Sequence, residues 1–188
     1  MVALDSETDA LERGERAPAF ELTGTDERPY SLDDFAGFDA VLLVFTCNHC
    51  PYAQAKFDEM NHIADAYDDV AVIGVNPNDA TEYPEDSFAK MQEFVESGRI
   101  QFDAYLRDEA QTVASDYGAV CTPDPFLLEN KGGEFYLAYH GRLDDATDPD
   151  AEPTDYEMRD IIDRLLDGGA IDDEFRPSRG CSIKWKDA

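Results

Sequence analysis

The run Val41-Leu42-Leu43-Val44-Phe45 passes directly into Thr46-Cys47-Asn48-His49-Cys50-Pro51. This junction constrains the fold more than any other part of the chain. A continuous apolar, β-branched run is the pattern of a strand buried on both faces, so structure must be layered above and below it. Beyond the junction, Ala53, Phe57, Met60, Ala64 and Tyr67 recur at spacings of four, three, four and three, one apolar stripe at helical period. Pro51 suits the first turn of that helix, where its missing N–H is not needed. A second buried strand reads from Val70 to Val75. Strand, helix and strand in so few residues predict a βαβ unit with a right-handed crossover and parallel strands.

Further along, helices are predicted near 86–97 and 109–117, with a short strand near 100–106 between them. Phe126-Leu127-Leu128 and Phe135 to Tyr139 flank Asn130-Lys131-Gly132-Gly133, a turn composition that favours an antiparallel hairpin. A last helix is expected from Thr154, where Thr154 and Glu157 have capping-box spacing. The sum is an α/β fold: a central mixed β-sheet flanked by helices on both faces. At 188 residues the chain fits one domain, able to bury ~70% of its unfolded surface. Residues 1–16 read as a flexible acidic lead-in, 17–188 as the domain, and about 169–188 as a C-terminal extension.

The charge excludes several partners. The chain carries 43 acidic and 15 basic residues, a net charge of -28. Binding to nucleic acid or to anionic lipid needs Lys and Arg, so neither is expected as a partner. Self-repulsion on this scale strains a fold at low ionic strength and is screened at molar salt, which predicts adaptation to a salty cytoplasm. The longest apolar stretch, Ala40 to Phe45, is far short of the ~20 residues of a membrane span. The opening residues lack the basic and apolar regions of a signal peptide, so a cytoplasmic protein is expected. The acid-rich stretch from Asp144 to Glu174 lacks the alternating ligands of a calcium loop and is expected to be a solvated face.

Four cysteines in a cytoplasmic chain point to catalysis or metal binding rather than a disulfide framework. The chemistry points to Cys47-Asn48-His49-Cys50. A thiolate needs positive potential, which a helix N-terminus supplies. Cys47 is expected to be the more exposed nucleophile and Cys50 the inner, resolving thiol. His49, between them, is expected to favour the Cys47 thiolate. His62 reads as a surface residue and His140 as structural. Cys121 and Cys181 are candidate additional redox thiols.

Several segments together resemble the thioredoxin superfamily, specifically the redoxin group with its alkyl hydroperoxide reductase/thiol-specific antioxidant and TlpA-like members. They are Ala17-Pro18-Ala19-Phe20-Glu21-Leu22, Tyr30 to Phe35, Cys47 to Tyr52, Tyr83-Pro84-Glu85-Asp86, Thr122-Pro123, His140-Gly141-Arg142, and Gly180-Cys181-Ser182-Ile183-Lys184-Trp185. The ending is similar to a peroxiredoxin-like subgroup that carries Cys-Asn-His-Cys. The resemblance implies a thioredoxin-like fold with a cis Pro123 opposite the two cysteines. Thr122 and Pro123 would then bind an extended substrate. It also implies thiol–disulfide oxidoreductase activity without cofactor or metal. The partners would be a disulfide-bearing protein or small-thiol substrate and a cellular reductant, with the protein a monomer or dimer. The chain departs from thioredoxin in having Thr46 for Trp, Asn48-His49 for Gly-Pro, and no carboxylate on the strand from Val41 to Phe45.

The main alternative is a peroxiredoxin-like thiol peroxidase with Cys50 or Cys47 as the peroxidatic thiol. Such enzymes place Pro seven residues and Thr or Ser three residues before that cysteine. Those slots hold Leu43 and Cys47 before Cys50, and Ala40 and Val44 before Cys47. The mismatch favours a dithiol/disulfide couple of Cys47 and Cys50. A non-enzymatic alternative is a metal or copper carrier using Cys47, Cys50 and His140.

Overall fold

The computed structural model describes residues 2–187; Met1 and Ala188, the outermost residues of the expected lead-in and extension, lie outside the described residues. In chain order the strands are β1 (Ala3–Asp5), β2 (Leu22–Gly24), β3 (Pro29–Tyr30), β4 (Ala40–Phe45), β5 (Val70–Asn76), β6 (Ala104–Arg107), β7 (Cys121–Thr122), β8 (Asp124–Lys131), β9 (Glu134–His140) and β10 (Arg179–Ser182). The helices are α1 (Pro51–Gln54), α2 (Phe57–Ala66), α3 (Phe88–Glu96), α4 (Thr112–Tyr117) and α5 (Glu157–Leu166).

A seven-stranded mixed sheet runs in the order β3-β2-β6-β5-β4-β8-β9. The apolar run from the sequence, β4, lies inside it, parallel to β5 and antiparallel to β8. Because strand side chains alternate between faces, β4 feeds two cores. Val41, Leu43 and Phe45 join Val113, Ala114 and Tyr117 of α4 on one face. Ala40, Leu42 and Val44 meet Met60 and Ile63 of α2 and Met158, Ile161 and Ile162 of α5 on the other. Every residue of β4 is fully buried, and each large apolar side chain so placed contributes roughly 1.5–3 kcal/mol. The hairpin forms where the turn composition puts it: β8 and β9 pair antiparallel, and Gly132 and Gly133 take φ of +67° and +93°, a region open to glycine.

Four expectations need correction. First, the lead-in is built into the fold: β1 pairs with β10, Ser6 and Leu11 are buried, and the Gly14 amide donates to the Leu137 carbonyl at 2.8 Å. The short C-terminal strand presents backbone groups that need partners, and the N-terminal segment supplies them. Second, the stripe after Cys50 spans two helices, because Lys56 leaves the helical register and sends its ammonium to Asp144 Oδ1 (2.5 Å) and the Ala146 carbonyl (2.8 Å). Third, the last helix starts at Glu157 with Tyr156 as its cap. Thr154 turns instead to Asp145, its amide 2.8 Å from Oδ1, and Glu157 is taken by Arg142 and Arg176. Fourth, the acid-rich stretch is not uniformly solvated, since Asp144 and Glu157 are buried against these cations.

A second, three-stranded sheet runs β1-β10-β7, with Cys181 in register with Ala3 on one side and Thr122 on the other. It carries the C-terminal segment back over the junction of β4 and α1. Among the described residues no helix is long and apolar enough to cross a membrane.

Candidate active site

The peptide bond Thr122–Pro123 is cis, and β7 and β8 on either side of it bring Thr122 against the two cysteines. Cys47 Sγ and the Thr122 hydroxyl are hydrogen-bonded at 3.3 Å. Cys50 Sγ lies 3.6 Å from the Thr122 carbonyl oxygen. Cys50 is the residue that caps α1, with Pro51 at its first position.

Cys50 is joined in a disulfide to Cys181, across 131 residues of sequence, and Cys47 is a thiol. The two motif cysteines are therefore not bonded to each other here. Cys47, Cys50 and Cys181 pack with Ala53 and Tyr52 into one small apolar cluster. Cys121 does not join it. It precedes Thr122 on β7, leaves the strand on the opposite side, and its thiol lies 3.8 Å from the Pro123 carbonyl oxygen.

Two expectations about Cys47 are overturned in this state. It is fully buried, as is Cys50, because β10 and its disulfide cover the junction. Its thiol is not acidified. Burial and the nearby Asp86 carboxylate push it up to about 12, against the weaker pull of the Thr122 hydroxyl and the Cys50 and His49 amides. A four-residue α1 supplies too little aligned backbone to reverse this.

The sequence reading missed Asp86. It sits in the 3-10 turn Pro84–Asp86 after β5 and is fully buried. Its Oδ1 accepts from the Asn48 amide (2.6 Å) and Asn76 Nδ2 (3.3 Å), and its Oδ2 from Asn78 Nδ2 (2.9 Å) and from His49 Nδ1. Burial alone would raise this carboxyl, but the hydrogen bonds from His49, Asn78 and Asn48 outweigh it and hold the group below the usual carboxylate range. The His49 ring stacks on Tyr83 at 5.6 Å, and its Nε2 is buried without a partner. The patch around the cysteines, uncharged in its own segment, thus receives a buried anion from 36 residues beyond Cys50 in the sequence.

Cys47, His49 and Asp86 each present a donor atom within 4.8 Å of the others. The lone pairs of Asp86 are already used by four hydrogen bonds, so this is first a hydrogen-bonded imidazole–carboxylate pair beside a thiol whose own hydrogen bond goes to Thr122. His140 lies apart from it. Its Nε2 pairs with the buried Asp124 Oδ1 at 2.6 Å and its ring stacks on Phe126 at 4.0 Å, which is a structural placement rather than a ligand's. His62 is exposed on α2.

Comparison with known proteins bears on this geometry. A family model described as the AhpC/TSA family matches residues 13–133. The chain belongs to the AhpC/TSA family. Its chemistry is thiol-based redox chemistry, on a thioredoxin-like fold. The chain is 36% identical to an uncharacterised conserved protein from Geobacillus kaustophilus, with a TM-score of 0.91 over 100% of this chain and 98% of that one. It is 33% identical to a hypothetical protein from Sinorhizobium meliloti, with a TM-score of 0.88 over 97% and 100%. The thioredoxin domain of a thiol-disulfide oxidoreductase from Bacteroides vulgatus matches at 20% identity and a TM-score of 0.56, over 70% of this chain and 91% of that one, and shows the fold alone. Among curated proteins none matches this chain.

Proposed function

We propose that this AhpC/TSA-family protein is a thiol–disulfide oxidoreductase in which Cys47 attacks or receives the substrate sulfur and Cys50 resolves the mixed disulfide. The observation that carries this reading is a disulfide and a free thiol held in one pocket against Thr122, with a buried, hydrogen-bonded carboxylate beside the thiol. A thiolate, not a thiol, is the nucleophile in exchange, so Cys47 must lose its proton to a nearby base. The His49–Asp86 pair is the group within reach.

In the reducing direction the Cys47 thiolate attacks one sulfur of a substrate disulfide. The substrate S–S bond breaks, and the first thiolate leaves and takes up a proton. Cys50, as thiolate, then attacks Cys47 Sγ and expels the second substrate thiol. Two electrons pass to the substrate and the protein is left with a Cys47–Cys50 disulfide. Thr122, whose carbonyl and hydroxyl face the sulfurs, would hold the substrate backbone beside them.

The test is turnover of a small disulfide, such as oxidised glutathione, by the full chain at molar salt. Parent protein is expected to exchange, and Cys47→Ser to fall to background. If Cys47→Ser instead consumes hydrogen peroxide while Cys50 becomes a sulfenic acid, the exchange reading gives way to the peroxidase one.

A further inference from the structure

We propose that Cys181 is a third redox-active thiol, which takes the disulfide over from Cys47 so that the protein stores its oxidised state as Cys50–Cys181 with Cys47 returned to the thiol. This rests on the exchange reading above and deepens it.

Three observations carry the proposal. Cys50 is bonded to Cys181 rather than to its motif partner. All three sulfurs occupy one cluster. Thr122 faces both motif sulfurs and is also the register partner of Cys181 on β10. Cys50 is therefore the shared atom of two alternative bonds, and moving between them needs a local swing of side chains rather than a new fold. The stored bond is out of reach of bulk thiols, since Cys50 and Cys181 are at most 1% exposed.

The segment after Cys181 is tied to the same site. The Lys184 amide donates to Asn78 Oδ1 at 2.9 Å, and the other end of that side chain, Nδ2, donates to Asp86 at 2.9 Å. The tail that carries the third thiol thus ends on a residue that holds the carboxylate beside Cys47.

The transfer balances without any external reagent. Starting from Cys47–Cys50, the Cys181 thiolate attacks Cys50 Sγ. The Cys50–Cys181 bond forms and the Cys47–Cys50 bond breaks. Cys47 departs as thiolate and takes the proton that Cys181 gave up. No electrons are gained or lost. Run backwards, a Cys47 thiolate recovers the oxidising equivalents for delivery to a substrate dithiol.

The experiment follows reduced full-length protein after one equivalent of oxidised glutathione, with acid quenching, alkylation and non-reducing peptide mass mapping. The expected order is a glutathione mixed disulfide on Cys47, then Cys47–Cys50, then Cys50–Cys181 with Cys47 as a thiol that is alkylated once the quenched protein is denatured. Cys181→Ser, its fold checked by circular dichroism, is expected to stop at Cys47–Cys50 while still consuming oxidised glutathione, and Cys121→Ser to behave as parent. Should Cys181→Ser not fold, the parent time course decides alone. Exchange that ends at Cys47–Cys50 in the parent, with Cys181 alkylated throughout, overturns the relay and leaves the exchange reading standing. No mixed disulfide on Cys47 overturns both.

Discussion

In the proposed mechanism Asp86 acts on Cys47 in two ways of opposite sign. Its charge raises the Cys47 thiol, while its bond to His49 supplies the place for the proton to go. Asp86→Asn is therefore expected to move the alkylation profile of Cys47 to lower pH and yet to slow exchange at neutral pH by about 100-fold, the scale of a lost general base. An Asn variant that exchanges as fast as parent would remove the base from the mechanism. Stability has its own sign. The folded carboxyl lies below its unfolded value near 3.8, so its contribution is present above that pH and is lost as acid carries the protein down through the folded value. The variant should lose less stability than parent over that acid window, although it starts lower by roughly 1–3 kcal/mol for disturbed buried hydrogen bonds. Cys47 and Cys50 were legible as a local pattern of strand and motif, whereas the place of Thr122 and Pro123 opposite them followed from the family resemblance and not from the residues themselves. The sequence could not reveal Asp86 as the partner of His49 or Cys181 as the partner of Cys50. Both are set by three-dimensional return of the chain, and cysteine spacing does not determine connectivity.

At the scale of elements, what was legible depended on length. The fully buried β4 and β5 and the helices beside them declare their period over six or more residues. The strands β1, β2, β3, β7 and β10 have two to four residues and cannot show one; they exist through pairing. β10 illustrates the physical requirement. A Cβ on Gly180 would sit 2.0 Å from the Thr122 carbonyl oxygen, a backbone atom that cannot step aside while Cys181 stays in register with Thr122. Gly180→Ala is therefore expected to push β10 off β7, to lower stability by about 1–3 kcal/mol as overpacking does, and to deplete the Cys50–Cys181 bond in non-reducing mass maps. Gly37→Ala, where an added methyl meets nothing within 4 Å, is the matched control. Equal melting and equal cross-linking in the two variants would show that the strand tolerates displacement.

For the whole molecule the governing quantity is the net charge of -28. The core described above is of ordinary kind, and most ion pairs are at least partly exposed, where each is worth little. The excess carboxylates therefore oppose the folded state through their mutual field. At 0.1 M salt that field reaches ~10 Å and at 1 M only ~3 Å, so the melting temperature should climb as NaCl is raised from low to molar concentration. A neutral osmolyte would strengthen burial as well, so the rise alone does not isolate charge. Asp167 does. It is exposed, caps the C-terminal end of α5, and follows Asp163 one turn earlier, where the carbonyl end of the helix already repels an anion. Asp167→Asn should stabilise the protein at low salt by about 0.3–1 kcal/mol, and the gain should vanish at molar NaCl but persist in sucrose. Calorimetric melts of parent and variant along both series measure this. A gain unchanged by salt would assign it to helix propensity instead, and a parent that melts lower in molar salt would end the case for a fold adapted to a salty environment.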